Sequence, residues 1–414
     1  MSNLKNIAER VKALKQESRE IVLKHLAVLA CNRSETSHSK SAVPSNGVIN
    51  EAEFWPSTGE YEIMDELLYY ALTSDEVRNT AYRSALQRKV KGKIALDLGT
   101  GSDAILARFC VEAGAERVYA LEVCPNACEV ARNKVRQLGL INKITVVEGD
   151  ATVVDLPEQV DVCVSEHIGS IGSSENSEGL MACARRFLKG DGVLVPSHCI
   201  THIAAVTLPA NLAESPVMSE VGAYYVSKIF AKYGAPFDLR LCIRGFPSTD
   251  IVSDVAVFED LDYGKGLGYH YTTPLRFQIN RDATLYGFLL WVEVRCDELA
   301  TFNVLNYSGA WSPAFFPVFY PGIPVERGDV IDAVASSQTV EHAGPKLGIM
   351  GTRNDAGPDY YLEGVLKRGR SERHFVYASP HRADHFRGTP FYERLFPEGR
   401  LAVRAPKSAR LSRI

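Results

Sequence analysis

The stretch KIALDLGTGS, residues 93–102, is the one from which the fold of this chain is predicted. Its first six residues are mostly apolar and indicate a short buried strand, and the glycines after them allow a turn where backbone can approach a ligand. Strand-like and helix-like segments then alternate: helices at 103–113, 125–138 and 179–188, and strands at 118–122, 144–148 and 160–165. This alternation is typical of a parallel, doubly wound sheet, that is, a Rossmann-like α/β domain.

The regions on either side of this domain have different sequence patterns. After Pro196, strand-like runs separated by Gly, Pro and Asp predict an antiparallel β domain, which we interpret as a barrel. We divide the chain into an N-terminal amphipathic helix (1–31), a linker (32–50), the α/β domain with preceding helices that start at Phe54 (51–196), the β domain (197–386) with a helical insertion at about 209–247, and a basic tail (387–414).

The overall composition argues against several classes of protein. A formal net charge of −4 over 414 residues shows no preference for nucleic acid or for a membrane surface. The N-terminus lacks the apolar core of a signal peptide, and no run of about 18 apolar residues predicts a transmembrane helix. Nine cysteines without a CxxC pair argue against a zinc site and a disulfide framework, so no metal is expected. These features predict a cytoplasmic protein.

Glycines and acids follow three of the predicted strands, at the edge where such a sheet binds its ligand. Gly99 and Gly101 follow the first strand, Glu122 ends the second, and Asp150 follows the third. An acid about 20 residues after the glycines can hold ribose hydroxyls, and an acid after the third strand can meet an adenine amino group. The three strand ends therefore predict a ligand that contains adenosine.

Asp103, at the start of the next predicted helix, narrows the choice of ligand. A dinucleotide fold usually shows a GxGxxG pattern, with the helix N-terminus facing a pyrophosphate. A carboxylate at this point would repel phosphate but not a cation. The pattern therefore favours S-adenosylmethionine (SAM), which has a positive sulfonium and an amino group that Asp97 could hold.

The segment VSEHIGSIGSSE, residues 164–175, leaves the fourth predicted strand and contains two acids nine positions apart. The small residues between Glu166 and Glu175 allow a loop that folds back and brings both carboxylates to one point. Such a concentration of negative charge is poorly suited to packing and well suited to holding a cation.

Several motifs together resemble those of the protein arginine methyltransferases, over residues 54–377. They are Arg78-Asn79-Thr80-Ala81-Tyr82-Arg83, the glycine loop, Glu122, the loop with two glutamates and the β domain. The segments most similar to the symmetric-dimethylating (type II) branch are 165–178, Pro125-Asn126-Ala127 and 311–317.

The resemblance implies a role for each matching residue. Glu166 and Glu175 would hold the guanidinium of the substrate, and two carboxylates can indeed grip that cation through paired hydrogen bonds. The residues expected to bind SAM are Met64, Arg78, Asp97, Gly99, Gly101, Glu122, Asp150 and Ala151. Those expected to bind the substrate are Tyr61, His167 and Trp311. The helical pattern at 219–233 is expected to mediate a homodimer.

The chain departs from the family pattern at several positions. Asp103 replaces the third glycine, Gly309-Ala310-Trp311 replaces a Thr-His-Trp loop, and Met64 stands where the type II branch favours phenylalanine. His167 is a candidate replacement for the missing histidine, and the favoured alternative is a side chain that points away from the two acids. No N-terminal barrel for substrate delivery is expected. Two kinds of methyl acceptor therefore remain possible, a protein arginine or a small guanidino or amino metabolite. An inactive scaffold is disfavoured because both acids and the cofactor acids persist.

Overall fold

The structure is a computed structural model, and it describes residues 52–61, 63–265, 271–306, 309–339, 358–379 and 389–397. The predicted N-terminal helix and linker lie outside these residues, as does most of the predicted basic tail.

The strands, in chain order, are β1 (Glu53–Pro56), β2 (Ile94–Leu98), β3 (Arg117–Glu122), β4 (Ile144–Glu148), β5 (Val160–Ser165), β6 (Leu188–Val195), β7 (His198–Val206), β8 (Leu241–Arg244), β9 (Ala256–Asp262), β10 (Tyr271–Gln278), β11 (Ala283–Leu285), β12 (Gly287–Arg295), β13 (Thr301–Asn303), β14 (Ala314–Phe316), β15 (Ile323–Val325), β16 (Val330–Thr339), β17 (Pro358–Arg368) and β18 (Ser371–Ser379). The α-helices are α1 (Glu66–Thr73), α2 (Glu76–Lys89), α3 (Ile105–Glu112), α4 (Pro125–Gln137), α5 (Ser177–Ala184), α6 (Ala210–Ala213), α7 (Glu220–Tyr233) and α8 (Pro390–Leu395).

Strands β2 to β6 form one parallel sheet in the order β4-β3-β2-β5-β6. Both of its faces are covered, as a parallel sheet requires: Leu96 and Leu98 pack in one core cluster, and Ala95 and Val162 pack in another. The predicted Rossmann-like sheet is therefore confirmed. In the helix predicted at 179–188, the α-helix α5 ends at Ala184, a 3₁₀ helix follows at Arg185–Phe187, and the edge strand β6 begins at Leu188.

The second half of the chain is antiparallel, as predicted. One sheet has the order β1-β8-β14-β12-β7-β9, with β13 paired to β12, and another has the order β10-β16-β17-β18. Side chains from both sheets, among them Phe288 on β12, Phe277 on β10 and Tyr360 on β17, meet in one core cluster. The two sheets thus enclose a common apolar interior.

The prediction of helix from Phe54 onward was wrong for its first residues. Residues 53–56 form strand β1, which pairs with β8 of the β domain, so that Phe54 lies opposite Ile243. The helices begin only at Glu66 and Glu76. The second of them is capped by Asp75, whose side chain accepts a hydrogen bond from Arg78 N at 3.0 Å.

The helical insertion lies against its own β domain. Ser219 caps α7 by accepting a hydrogen bond from Gly222 N, and Gly234, with φ of 77°, ends the helix. Tyr225, Val226 and Ile229 form its buried face. Dimerisation through this helix stays a prediction, which light scattering at micromolar concentration would check. Among the helices that the structure describes, none is long and apolar enough to cross a membrane.

Candidate active site

The glycine loop after β2 has a backbone that only glycine adopts readily. Gly99 has φ of 77° and Gly101 has φ of 64°. A Cβ on Gly99 would lie 2.5 Å from His167 Cε1, and a Cβ on Gly101 would lie 2.5 Å from the Tyr69 hydroxyl oxygen. Two side chains from other parts of the chain therefore close on this loop, one from the acidic loop and one from α1.

Two acids, Glu122 and Asp150, lie at or just after the carboxyl ends of β3 and β4, on the same sheet edge as this loop. Glu122 accepts hydrogen bonds from Gly101 N and Cys124 N, each at 2.9 Å, which holds its carboxylate at the sheet edge. Asp150 accepts hydrogen bonds from the backbone and hydroxyl of Thr152, both at 2.8 Å, and the neighbouring Ala151 is buried. These carboxylates lie where a parallel sheet binds its ligand.

Asp97 lies beneath the loop and is 1% exposed. Its Oδ2 accepts hydrogen bonds from Thr100 Oγ1 at 2.5 Å and from Ala107 N at 2.8 Å, while no residue that the structure describes pairs with its Oδ1. Burial raises the pKa of the Asp97 carboxyl to about 6, and these two donors oppose the rise.

Three buried polar atoms near the loop lack a hydrogen-bond partner among the residues that the structure describes. They are Asp97 Oδ1, Arg78 Nε and His167 Nδ1. Unpartnered polar atoms are rare in protein interiors, because each one forfeits its hydrogen bonds to water. Such a group beside a loop with two close-approach glycines is typical of a site for a polar ligand.

Asp103, interpreted above as a negative charge facing the ligand, is neutralised in the structure. Its carboxylate forms ion pairs with Arg108 at 3.0 Å and with Lys134 at 3.1 Å. Its backbone N–H donates to the hydroxyl of Tyr69 at 2.9 Å. Asp103 thus ties the glycine loop to α1, α3 and α4.

The two glutamates of the acidic loop are in different electrostatic situations. Glu166 pairs with Arg78 at 3.2 Å, and both side chains are almost fully buried. Glu175 receives no hydrogen bond from any described residue, and its carboxyl is enclosed by protein although the residue as a whole is only partly buried. Burial, then Glu166 and Glu60, raise the pKa of Glu175 to about 8.

The Glu175 side chain lies close to the backbone at Gly59. A Cβ on Gly59 would collide with the Glu175 carboxylate. The next residue, Glu60, forms a buried ion pair with Arg240 at 2.6 Å, and Arg240 also donates to Ser379 at 3.1 Å. The chain before α1 therefore forms one wall of the acidic site.

Hydrogen bonds to other parts of the fold fix the acidic loop in place. Trp311 Nε1 donates to the carbonyl of Ile168 at 2.7 Å. Ser173 donates to Glu259 through its backbone N–H at 2.9 Å and its hydroxyl at 2.8 Å. Gly172 N donates to Thr201 Oγ1 at 2.9 Å. Residues from β7, β9 and the segment before β14 thus fix the positions of both glutamates.

The structure brings together most of the residues predicted from the sequence, with two exceptions. Tyr61 lies in the core, where its hydroxyl accepts a hydrogen bond from Arg240 N and its ring packs on Tyr233 and Phe237. Met64 has a side chain that is 54% exposed.

Sequence reasoning missed three residues near the acids. Tyr69, Gly59 and Glu259 all contact the two loops, but each lies far from them in sequence. Gly59, two positions before the predicted substrate-binding residue Tyr61, was the only local signal for any of the three.

Known proteins resemble both halves of this molecule. A family model described as a methyltransferase domain matches residues 96–195. Protein arginine N-methyltransferase PRMT10 of rice (Oryza sativa subsp. japonica) is 29% identical over 297 residues, which are 62% of this chain and 76% of the relative.

Two solved structures share the fold. The Trypanosoma brucei PRMT1 enzyme–prozyme heterotetrameric complex with AdoHcy has a TM-score of 0.60 at 18% identity, over 77% of this chain and 98% of that chain. Arabidopsis thaliana protein arginine methyltransferase 10 has a TM-score of 0.59 at 21% identity, over 75% and 97% of the two chains.

The fold, the glycine loop with its strand-end acids and the match to a methyltransferase domain define this chain as a SAM-dependent methyltransferase. Within that class, it is similar to the protein arginine N-methyltransferases, which share its order of a parallel sheet followed by an antiparallel β domain.

Proposed function

We propose that this chain transfers a methyl group from SAM to a guanidinium nitrogen, and that Glu166 and Glu175 hold the acceptor. The observation that carries this proposal is the environment of the Glu175 carboxyl. Its carboxyl is enclosed by protein, lies near a second acid and receives no hydrogen bond within the described residues. A guanidinium would supply both the missing donors and the missing positive charge.

The two acids would have different roles in binding the acceptor. Glu166 is already oriented by Arg78, so it offers a fixed carboxylate to an incoming cation. Glu175, with a pKa of about 8, holds a proton at neutral pH until a cation approaches. A bound guanidinium lowers the pKa of a neighbouring carboxyl, so acceptor binding is expected to release a proton from Glu175.

The residues around the glycine loop fit SAM. Glu122 can hold the ribose, while Asp97 Oδ1 and Arg78 Nε are free to meet the ammonium and the carboxylate of its amino-acid end. When bound, SAM supplies an electrophilic methyl group on a sulfonium. The acids of the chain would position one guanidinium nitrogen toward this cleft and draw positive charge away from it, and a carboxylate or water would take up the proton it loses.

We propose an arginine side chain of a protein as the acceptor, since the rice relative is named a protein arginine N-methyltransferase. The purified chain would be incubated with methyl-labelled SAM and either an arginine-rich peptide or a panel of small guanidino compounds, with Glu175→Gln as the matched control. Label in the peptide supports the proposal. Label confined to small compounds overturns the protein acceptor, and no transfer to either overturns the guanidinium.

The symmetry of the dimethylated product is a separate proposal. The loop at 165–178 resembles the type II branch, which predicts symmetric dimethylarginine as the product. Acid hydrolysis of the methylated peptide and chromatography against methylarginine standards would test this. Asymmetric dimethylarginine would contradict it.

A further inference from the structure

His167 belongs to the acidic loop by sequence, but its side chain contacts the glycine loop. Its Cε1 and Nδ1 lie 2.5 and 3.1 Å from the position that a Cβ on Gly99 would occupy. The imidazole therefore fills the space that the missing side chain of Gly99 leaves open. This orientation makes His167 a neighbour of the cofactor cleft, rather than a support for the pair of glutamates.

His167 as a whole is only partly buried, and one nitrogen of its ring is enclosed by protein. Burial lowers the pKa of His167, although Glu166 and Glu122 oppose this shift, so the ring is neutral at physiological pH. Nδ1 is buried and has no hydrogen-bond partner among the described residues. When Nε2 carries the proton, Nδ1 can accept a hydrogen bond from a ligand.

The three unpartnered atoms at this cleft have a definite chemical pattern. Asp97 Oδ1 and His167 Nδ1 are acceptors, and Arg78 Nε is a donor. An α-amino acid in its zwitterionic form presents the complement, an ammonium that donates and a carboxylate that accepts. The acidic neighbours Glu122 and Glu166 further favour a cation beside the imidazole.

We propose that His167 is a cofactor-binding residue of this enzyme, whose Nδ1 accepts a hydrogen bond from the ammonium of the amino-acid end of SAM. The imidazole shares this ammonium with Asp97, while Arg78 faces the carboxylate. The proposal rests on SAM as the cofactor and is independent of the acceptor, so a different acceptor would leave it intact.

Binding of S-adenosylhomocysteine, measured by titration calorimetry on the full chain without an acceptor, tests this proposal. His167→Leu removes both ring nitrogens and keeps much of the bulk, and about tenfold weaker binding is expected from the loss of a hydrogen bond to a charged group. His167→Asn places an amide oxygen near the position of Nδ1, and binding within about threefold of the wild type is expected.

5′-Methylthioadenosine serves as the control ligand, because it has the adenosine but no amino-acid end. It should bind the wild type and His167→Leu equally well. Equal loss for both ligands would overturn the proposal, since the ring would then only shape the cleft. Unchanged or tighter binding of S-adenosylhomocysteine by His167→Leu would also overturn it, because the ring would then only occupy the cleft.

Melting temperatures without ligand show whether the variants are folded. If His167→Leu has a lowered melting temperature, the proposal is judged from His167→Asn alone. Wild-type affinity of that variant for S-adenosylhomocysteine supports the contact, and a tenfold loss of affinity contradicts it. A wild type that binds methylthioadenosine but not S-adenosylhomocysteine would contradict the role of all three polar atoms.

Discussion

Glu175 and Glu259 are both acids enclosed by protein near the acidic loop, and they differ in their hydrogen bonds. Glu259 accepts four of them, from Thr201 Oγ1 at 2.8 Å, from Ser173 N and Oγ at 2.9 and 2.8 Å, and from the Tyr271 hydroxyl at 3.2 Å. No described residue donates to Glu175. Burial raises the pKa of both carboxyls, but only for Glu259 do hydrogen bonds oppose the rise.

The difference separates a structural acid from a functional one. A buried carboxylate whose oxygens all have donors stabilises the contacts around it, and here it fixes the loop at Ser173 to strands β7 and β9. A buried carboxyl without donors costs free energy in the empty protein, and the cost is recovered only when a ligand supplies the donors. Four predictions test this contrast.

The largest effect is expected for Glu175→Gln on turnover. Gln has the same shape but cannot attract a guanidinium by charge, so kcat should fall about 10³-fold, roughly 4 kcal/mol of activation free energy. Steady-state methylation of an arginine peptide measures this. Binding of S-adenosylhomocysteine should stay within about twofold, and a parallel loss of that affinity would contradict the assigned role.

The second effect concerns stability. Glu259→Ala leaves the donors of Ser173, Thr201 and Tyr271 without an acceptor in a buried place, so the free energy of unfolding should fall by about 3 kcal/mol. Urea denaturation measures it. A loss below about 1 kcal/mol would mean that water replaces the carboxylate and that the contrast with Glu175 is overstated.

Glu122 is an intermediate case, because it accepts two backbone hydrogen bonds and also faces the predicted ribose site. Glu122→Ala should weaken binding of SAM about 30-fold, close to 2 kcal/mol, through the loss of charged hydrogen bonds. Calorimetry with Glu148→Ala as a control, an acid on the neighbouring strand paired with Arg132, checks specificity. Unchanged affinity for Glu122→Ala would refute the ribose assignment.

The smallest effect is a pH dependence. The pKa of Glu175 is raised from its ordinary value of 4.5 to about 8, so the folded state holds the proton more tightly than the unfolded state. The resulting stabilisation is complete below about pH 4.5 and is lost as the pH rises through about 8. Between pH 7 and 9, ligand-free wild type should lose about 1.4 kcal/mol relative to Glu175→Gln, as measured by denaturant unfolding. Parallel curves for the two proteins would show that Glu175 is ionised throughout.

The site was partly predictable because some of its residues are set by local pattern. Gly99, Gly101, Glu122 and Asp150 follow strands whose apolar runs are visible in sequence, and parallel strands bring their ends to one edge. Tyr61 was expected in the substrate site but lies in the core, because a sequence motif does not decide which way a side chain points. The first residues of the predicted helix form a strand instead. Sequence did not show this, because β1 forms only by pairing with β8, almost 190 positions away.

The sequence by itself determined the parallel sheet, the antiparallel β domain, the glycine loop and the presence of two acids in one flexible loop. These features depend on periodicity, glycine content and charge, which are properties of neighbouring residues. Only the tertiary structure decided that Arg78 anchors Glu166, that Glu175 lacks a donor within the described part of the chain, and that His167 turns to Gly99. Burial and hydrogen bonding arise from segments far apart in the chain, so the same two glutamates in sequence become chemically different only when the fold encloses them.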